Sequence, residues 1–251
     1  MESSVIMNLV QLRAPKVLVA TVLLLRWMDN LAFTDQYVLF DLFSGCGNVH
    51  KEWSAAGYSS ACFDKLYGPE MDFLSCAGFS LSIYAALNMI PDGVAVIGPD
   101  CSSWGIPARG SSGRNFINPN GYTHRAFVNS NNCLVSRMVL LLLVLLSKHC
   151  CFIVEQPHQS LLYRSARWEW FCNRVARVFE VGFWMLRHGS PSAKRTKCFS
   201  TMATLLQLDH GVLSKAEREQ KTTLTTVRKH TNKQGKTTFS GKKAELKQSG
   251  T

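Results

Sequence analysis

A chain of 251 residues with 46% apolar and 18% charged side chains can bury a sizeable core, which excludes general disorder. Its length suits one domain with an extension, at roughly 100–200 residues per domain. Nearly all of the net charge of +11 lies from Arg187 to Thr251, where 14 Lys/Arg meet 4 Asp/Glu, against 14 and 13 before it. The nine cysteines form no CxxC pair, and no His/Cys cluster has zinc-ligand spacing, which argues against a metal site. His124, His149 and His158 show no mutual spacing that favours a metal. An odd cysteine count without a clear secretory signal points to reduced intracellular thiols.

In chain order, the first feature is the apolar run "VLVATVLLL" at 17–25, between Lys16 and Arg26. It falls short of the ~20 residues that span a bilayer, and no small-residue cleavage site follows it. It reads as a buried helix in an N-terminal helical segment over residues 1–34. Short apolar runs with β-branched or aromatic residues then alternate with longer helical patterns, the signature of a parallel sheet with crossover helices. Strands are predicted at Gln36–Phe40, Ser60–Phe63, Val94–Ile97, Cys151–Val154, Val178–Met185 and Lys197–Ser200, with helices over 49–56, 79–89, 130–148 and 160–177. The run "MVLLLLVLL" at 138–146 is likewise too short to span and reads as buried helix. Between Gly98 and Asn132 lies a Ser-, Gly-, Asn- and Pro-rich stretch too long for an ordinary connection, so it is functional or disordered. The main α/β domain is predicted over 35–205. Residues 206–251 read as a basic, irregular extension, with 10 Lys/Arg against 3 Asp/Glu after Leu213. Such a tail suits nucleic-acid contact through counterion release, or simple solvation.

The polar residues of interest fall where predicted strands end, which is where open α/β sheets bind ligands. "DLFSGCGN" at 41–48 follows the first strand, and Asp64, 23 residues beyond Asp41, follows the second. An acid at about that distance accepts hydrogen bonds from a ribose diol, and glycines let backbone approach a nucleoside. A tight strand-to-helix turn without a ligand is the alternative. The stretch has neither the GxGxxG of a pyrophosphate binder nor the GK[ST] of a nucleotide-triphosphate loop.

"DLFSGCGNVHKEWSAAGY" resembles the first motif of the cytosine-5 DNA methyltransferases, which use S-adenosylmethionine. The resemblance implies a Rossmann-like methyltransferase fold, mostly parallel with helices on both faces. It places Asp41, Phe43, Ser44, Gly45 and Gly47 against the cofactor, Asp64 on its ribose and Asp72 of "MDFLS" near its adenine. "GPDCSSW" is similar to the family's GPPCQ loop, which puts Pro99 beside the cofactor and Cys101 at the nucleophile's position. "VEQP" resembles the family's ENV, with Glu155 at its glutamate. "HGSPSAKRTKCFST" looks like the later G.PQ.R.R motif: Gly189 and Pro191 keep their places, and Lys194 stands in for the first Arg. Ser192 and Thr196 replace the Gln and the second Arg, and Arg195 is a shifted cation. Asp100 replaces a proline, Ser102 a Gln, and Gln156-Pro157 an Asn-Val pair. After the basic motif the family usually carries a target-recognition region and a closing motif. About fifty residues follow Ser200 here, and they do not read as such a region.

The chemistry explains these residue types. Carbon 5 of cytosine is a poor nucleophile, so the ring is activated by adding a thiolate at carbon 6. A carboxylic acid near ring nitrogen 3 then stabilises the developing charge, and cations hold the base and backbone. By the resemblance, Cys101, Glu155, Lys194 and Arg195 fill those roles. Read without it, Cys101 is a small buried apolar residue and Glu155 a helix cap. A carboxylate at Asp100 opposes thiolate formation beside it. Trp104, Trp168, Trp170 and Trp184 read as core. Arg109 and Arg114 lie in the long loop after Cys101 and are expected to contact nucleic acid as that loop closes, or to be solvated. The expected function is DNA cytosine-5 methylation with S-adenosylmethionine, with no metal and no membrane. Expected alternatives are an inactive methyltransferase-like domain that binds nucleic acid or a partner, and a methyltransferase acting on RNA. The expected location is intracellular, and nuclear if the substrate is genomic DNA.

Overall fold

The computed structural model describes residues 2–175, 177–190, 194–217, 228–231 and 237–240. Two helices come first, α1 (Glu2–Gln11) and α2 (Lys16–Trp27). The order then runs β1 (Tyr37–Leu42), α3 (Asn48–Ala55), β2 (Ser60–Phe63), α4 (Cys76–Leu87) and β3 (Met89–Ile97). The loop after β3 carries the one-turn helix α5 (Arg109–Ser112), followed by α6 (Ala126–Ser147), β4 (Cys151–Pro157), α7 (Ala166–Arg174), β5 (Phe179–Trp184) and β6 (Arg195–Ser200). Arg228–Thr231 and Thr237–Ser240 pair as an antiparallel hairpin in the extension expected to be irregular. Its Thr-rich second strand has the β-branched residues that suit a pleated surface.

The six main strands lie in the order β2-β1-β3-β4-β6-β5. β1 is parallel to β2 and β3, β3 is parallel to β4, and β6 runs antiparallel to both neighbours. β2 and β3 follow β1 on opposite sides of it, so the strand order reverses there. The carboxyl ends of β1 and β3 therefore flank the crevice where open α/β sheets take ligands.

Helix α6 holds the core together. Its 22 residues are long and apolar enough, by length and composition, to cross a bilayer, but most of it is buried inside the protein. A helix apolar on all sides needs covering all round, and α6 packs against α1, α4, α7 and β4. The N-terminal segment is fused to this core, since Val5, Leu9, Leu18 and Val22 belong to the same apolar cluster as the sheet. Lys148, 6% exposed, pairs with Asp35, and Asn8 donates to the Ser147 carbonyl at 2.8 Å.

Two expectations change. Helix α2 was read as buried, yet only Leu18 and Val22 of its twelve residues are. The helix predicted over 160–177 is divided into a 3-10 turn at Leu162–Arg164 and α7, because Ser165 adopts an extended conformation between them.

Candidate functional site

The first half of the site is the turn after β1. Phe43, Gly45 and Gly47 all have left-handed backbone, with φ of 60°, 55° and 69°, so the chain reverses sharply into α3. For Phe43 that conformation is costly and must be held by its surroundings. Its amide donates to the Phe63 carbonyl at 2.8 Å, and its ring meets Phe73 edge-on. Asp41, buried beneath the turn, accepts from the His50 amide in the first turn of α3 at 3.2 Å. Burial pushes its carboxyl pKa up, against the lowering effect of that bond.

Asp64 joins the ends of β1 and β2. Its Oδ2 accepts from the Gly45 amide at 3.0 Å and its Oδ1 from the Leu66 amide at 2.9 Å. Tyr67 had drawn no attention in the sequence. Its hydroxyl donates to the Gly45 carbonyl and accepts from Ser44 Oγ, both at 3.2 Å. A Cβ added at Gly47 would lie 2.9 Å from that hydroxyl. In this structure the close approach that the glycine permits is therefore the approach of Tyr67. Asp72 closes the 3-10 turn Pro69–Met71, and its Oδ1 accepts from the Leu74 amide at 2.9 Å ahead of α4.

The second half lies beyond β3 and β4. Buried Gln156 donates to the Pro99 carbonyl and accepts from Ser160 Oγ, which ties the ends of the two strands together. Asp100 accepts from the Ser102 amide at 2.9 Å and from the Ser102 hydroxyl at 2.8 Å. The Cys101 carbonyl takes the amides of Trp104 and Gly105, which begins a tight turn. Glu155 Oε1 accepts from Lys194 Nζ and from Thr196 Oγ1, each at 3.2 Å. Burial raises the Cys101 thiol pKa. Lys194 partly offsets this, and Asp100 and Glu155 add to it. Cys101, Asp100, Glu155 and Lys194 are thus within electrostatic reach of one another.

Arg195 is placed elsewhere. Successive strand residues face opposite sides of a sheet, so Lys194 and Thr196 share the Glu155 side while the Arg195 guanidinium lies over the Trp184 ring, 5.5 Å from its centre. Arg114, expected at a nucleic-acid surface, is 1% exposed. Its guanidinium stacks 3.3 Å from the centre of the Trp104 ring and donates to the Ser103 and Asn132 side chains and to the carbonyls of Pro119 and Val128. Burial lowers its pKa to about 10, so it stays charged at neutral pH. The correction has a physical reason: a flat ring and four acceptors take up most of the guanidinium's polar groups inside the protein, which offsets part of the cost of burying its charge. Arg109 is half-buried over the Phe116 ring. The loop expected to be functional or disordered is therefore ordered around an internal arginine. Trp104 and Trp168 are buried, as read.

Among the described residues no group of three His, Cys, Asp or Glu could hold a metal. Gly189 ends the turn after β5 with φ 80°, and Pro191 and Ser192 of the basic motif lie outside the described residues.

No family model matches the sequence, and no curated protein matches it. Among solved structures, the crystal structure of S. pombe Dnmt2 methyltransferase is similar to 70% of this chain, with a TM-score of 0.37 and 13% identity. The match covers 55% of that protein, so this chain spans about half its length. Strand order and direction decide the fold. It is Rossmann-like. On that Rossmann-like sheet, the glycine turn and the cysteine loop occupy the two sides of the switch point.

Proposed function

We propose that the chain is an S-adenosylmethionine-dependent methyltransferase that modifies carbon 5 of cytosine in DNA through Cys101. The observation that carries this reading is the convergence of Lys194 and Thr196 on Glu155, within electrostatic reach of Cys101, at the carboxyl ends of the strands.

The glycine turn at 43–47, Asp64, Asp72 and Pro99 would hold the cofactor, which supplies an electrophilic methyl group when bound. The turn fits it on one condition, that Tyr67 leaves. Tyr67 is 45% exposed and held by two bonds at the long end of the hydrogen-bond range, so its departure is inexpensive. Asp64 keeps acceptor capacity, because each carboxylate oxygen can take a second hydrogen bond.

At the other half, the Cys101 thiol gives its proton to solvent, and the thiolate sulfur then bonds to carbon 6 of the ring. Lys194 favours the thiolate against burial and the neighbouring acids. Glu155, steered by Thr196 and Lys194, passes a proton to ring nitrogen 3 as negative charge develops there. Gln156 fixes the distance between the two strand ends that carry these groups.

A second reading, an inactive domain that binds nucleic acid, is favoured by the raised Cys101 pKa and by the closure of the glycine turn by Tyr67. Methyl transfer from labelled S-adenosylmethionine, with DNA and RNA offered together, separates the cases. Label in 5-methylcytosine of DNA is the expected result. Label in RNA alone would move the substrate class, and cofactor binding without label in either would favour the inactive domain.

A further inference from the structure

We infer that α2 is a self-association surface through which two copies of this chain pair with their α2 helices antiparallel. The inference does not depend on the proposed chemistry. Val17, Ala20, Leu24 and Trp27 recur at intervals of three, four and three residues, which aligns them in one stripe along the helix. All four are exposed, Val17 at 70%, Leu24 at 68% and Trp27 at 85%. Leu23, 50% exposed, lies at the edge of the stripe. The opposite side of the helix is held by Leu18 and Val22 in the core. A helix apolar on all sides but covered on one lacks a partner on the other. The three-four spacing is that of a seam between paired helices.

The charges at the two ends point to a second copy as the occupant. Arg13 and Lys16 stand exposed at the start of α2, and Asp29 stands exposed just past its end. Among the described residues none of the three has an ion-pair partner. Lys16 and Asp29 also sit on the unfavourable ends of the helix dipole, which prefers acids at its start and bases at its finish. An antiparallel pair corrects both defects, because the basic start of one helix meets Asp29 of the other and each charge then lies at the favourable end of its neighbour's dipole. The arrangement is self-complementary, as a two-fold interface must be. An anionic membrane surface would attract Arg13 and Lys16 but repel Asp29, whereas a second antiparallel copy satisfies all three. The adjoining helix α1 leaves Met7 and Val10 each 56% exposed.

Sedimentation equilibrium of the full chain over a range of micromolar concentrations tests this. The expected result is a monomer–dimer equilibrium, weakened about tenfold or more by Leu24→Glu, as for loss of a central apolar anchor. Position 24 is exposed, so at concentrations where both chains are monomeric the thermal unfolding of Leu24→Glu should match that of the native chain. Lys16→Glu should weaken the dimer, and Lys16→Glu combined with Asp29→Lys should restore it. Failure of the double reversal to restore association would overturn the antiparallel pairing. A native chain that stays monomeric throughout would overturn the inference altogether. Flotation of such a monomer with phosphatidylglycerol vesicles, lost in Leu24→Glu, would reassign the stripe to a lipid surface.

Discussion

The turn after β1 and the loop after β3 flank the same crevice, yet they handle polar groups in opposite ways. Around the turn, carboxylates and hydroxyls are matched to backbone. Asp41 holds the His50 amide, Asp64 holds the amides of Gly45 and Leu66, and Tyr67 closes on Ser44 and Gly45. In the loop, charges face one another, with Asp100, Glu155 and Lys194 all acting on Cys101. The first half is organised by conformation, so a ligand must displace a side chain to enter. The second is organised by charge, so its behaviour follows pH and neighbouring residues.

The largest expected effect separates the halves most sharply. Glu155→Gln removes a proton donor at the charged half and should slow covalent capture of a cytosine analogue by ~10²–10⁴-fold, leaving S-adenosylmethionine binding unchanged by calorimetry. Equal losses in both assays would mean that Glu155 supports the fold instead. Next comes the anchor of the cysteine loop. Arg114→Met leaves two side chains and two carbonyls without their donor, and urea unfolding should show a destabilisation on the order of 3 kcal/mol. A change within experimental error would show that Arg114 does not anchor the loop.

At the turn, Asp64→Ala should weaken S-adenosylmethionine binding by about 1–3 kcal/mol. Tyr67→Phe should strengthen it by less than about 1 kcal/mol, because the hydroxyl that holds the ring over the turn is gone. Weaker binding in Tyr67→Phe would make Tyr67 part of the ligand site. The smallest effect concerns pH. Because the Cys101 thiol titrates above its ordinary value, capture should rise with pH through and beyond neutrality as the thiolate forms. Asp100→Asn keeps an acceptor for the Ser102 amide but removes a charge that raises the thiol pKa, so its profile should shift to lower pH. An unmoved profile would show that Asp100 is electrostatically silent.

Much of the sheet was legible because apolar runs end in polar residues wherever parallel strands meet the crevice. Asp41, Asp64, Cys101 and Glu155 each stand at or just past the end of an apolar run, which marks a strand end in the sequence itself. The separation of Lys194 from Arg195 was readable in principle, since neighbours in a strand face opposite ways. The fate of Arg114 was not. An arginine amid Ser, Gly and Asn looks solvated, and nothing local announces that Trp104, Asn132 and two carbonyls assemble around it. Tyr67 left no signal either, because its role depends on β1 and β2 lying side by side. Helix α2 misled through composition: apolar residues all round suggest burial, and only the packing reveals which stripe lacks cover.

The central claim is that Cys101 is a nucleophile, and covalent trapping tests it most directly. The target base must leave the helix before its ring face can be attacked. A DNA strand carrying 5-fluorocytosine should then hold the protein in an adduct that survives denaturation, because fluorine cannot leave as the proton does. With S-adenosylmethionine present, the native chain should form that adduct, and Cys101→Ser should form none while still binding the cofactor. If neither the native chain nor Asp100→Asn forms an adduct with any cytosine-containing strand while S-adenosylmethionine still binds, Cys101 is not the nucleophile and the inactive binding domain is the correct account.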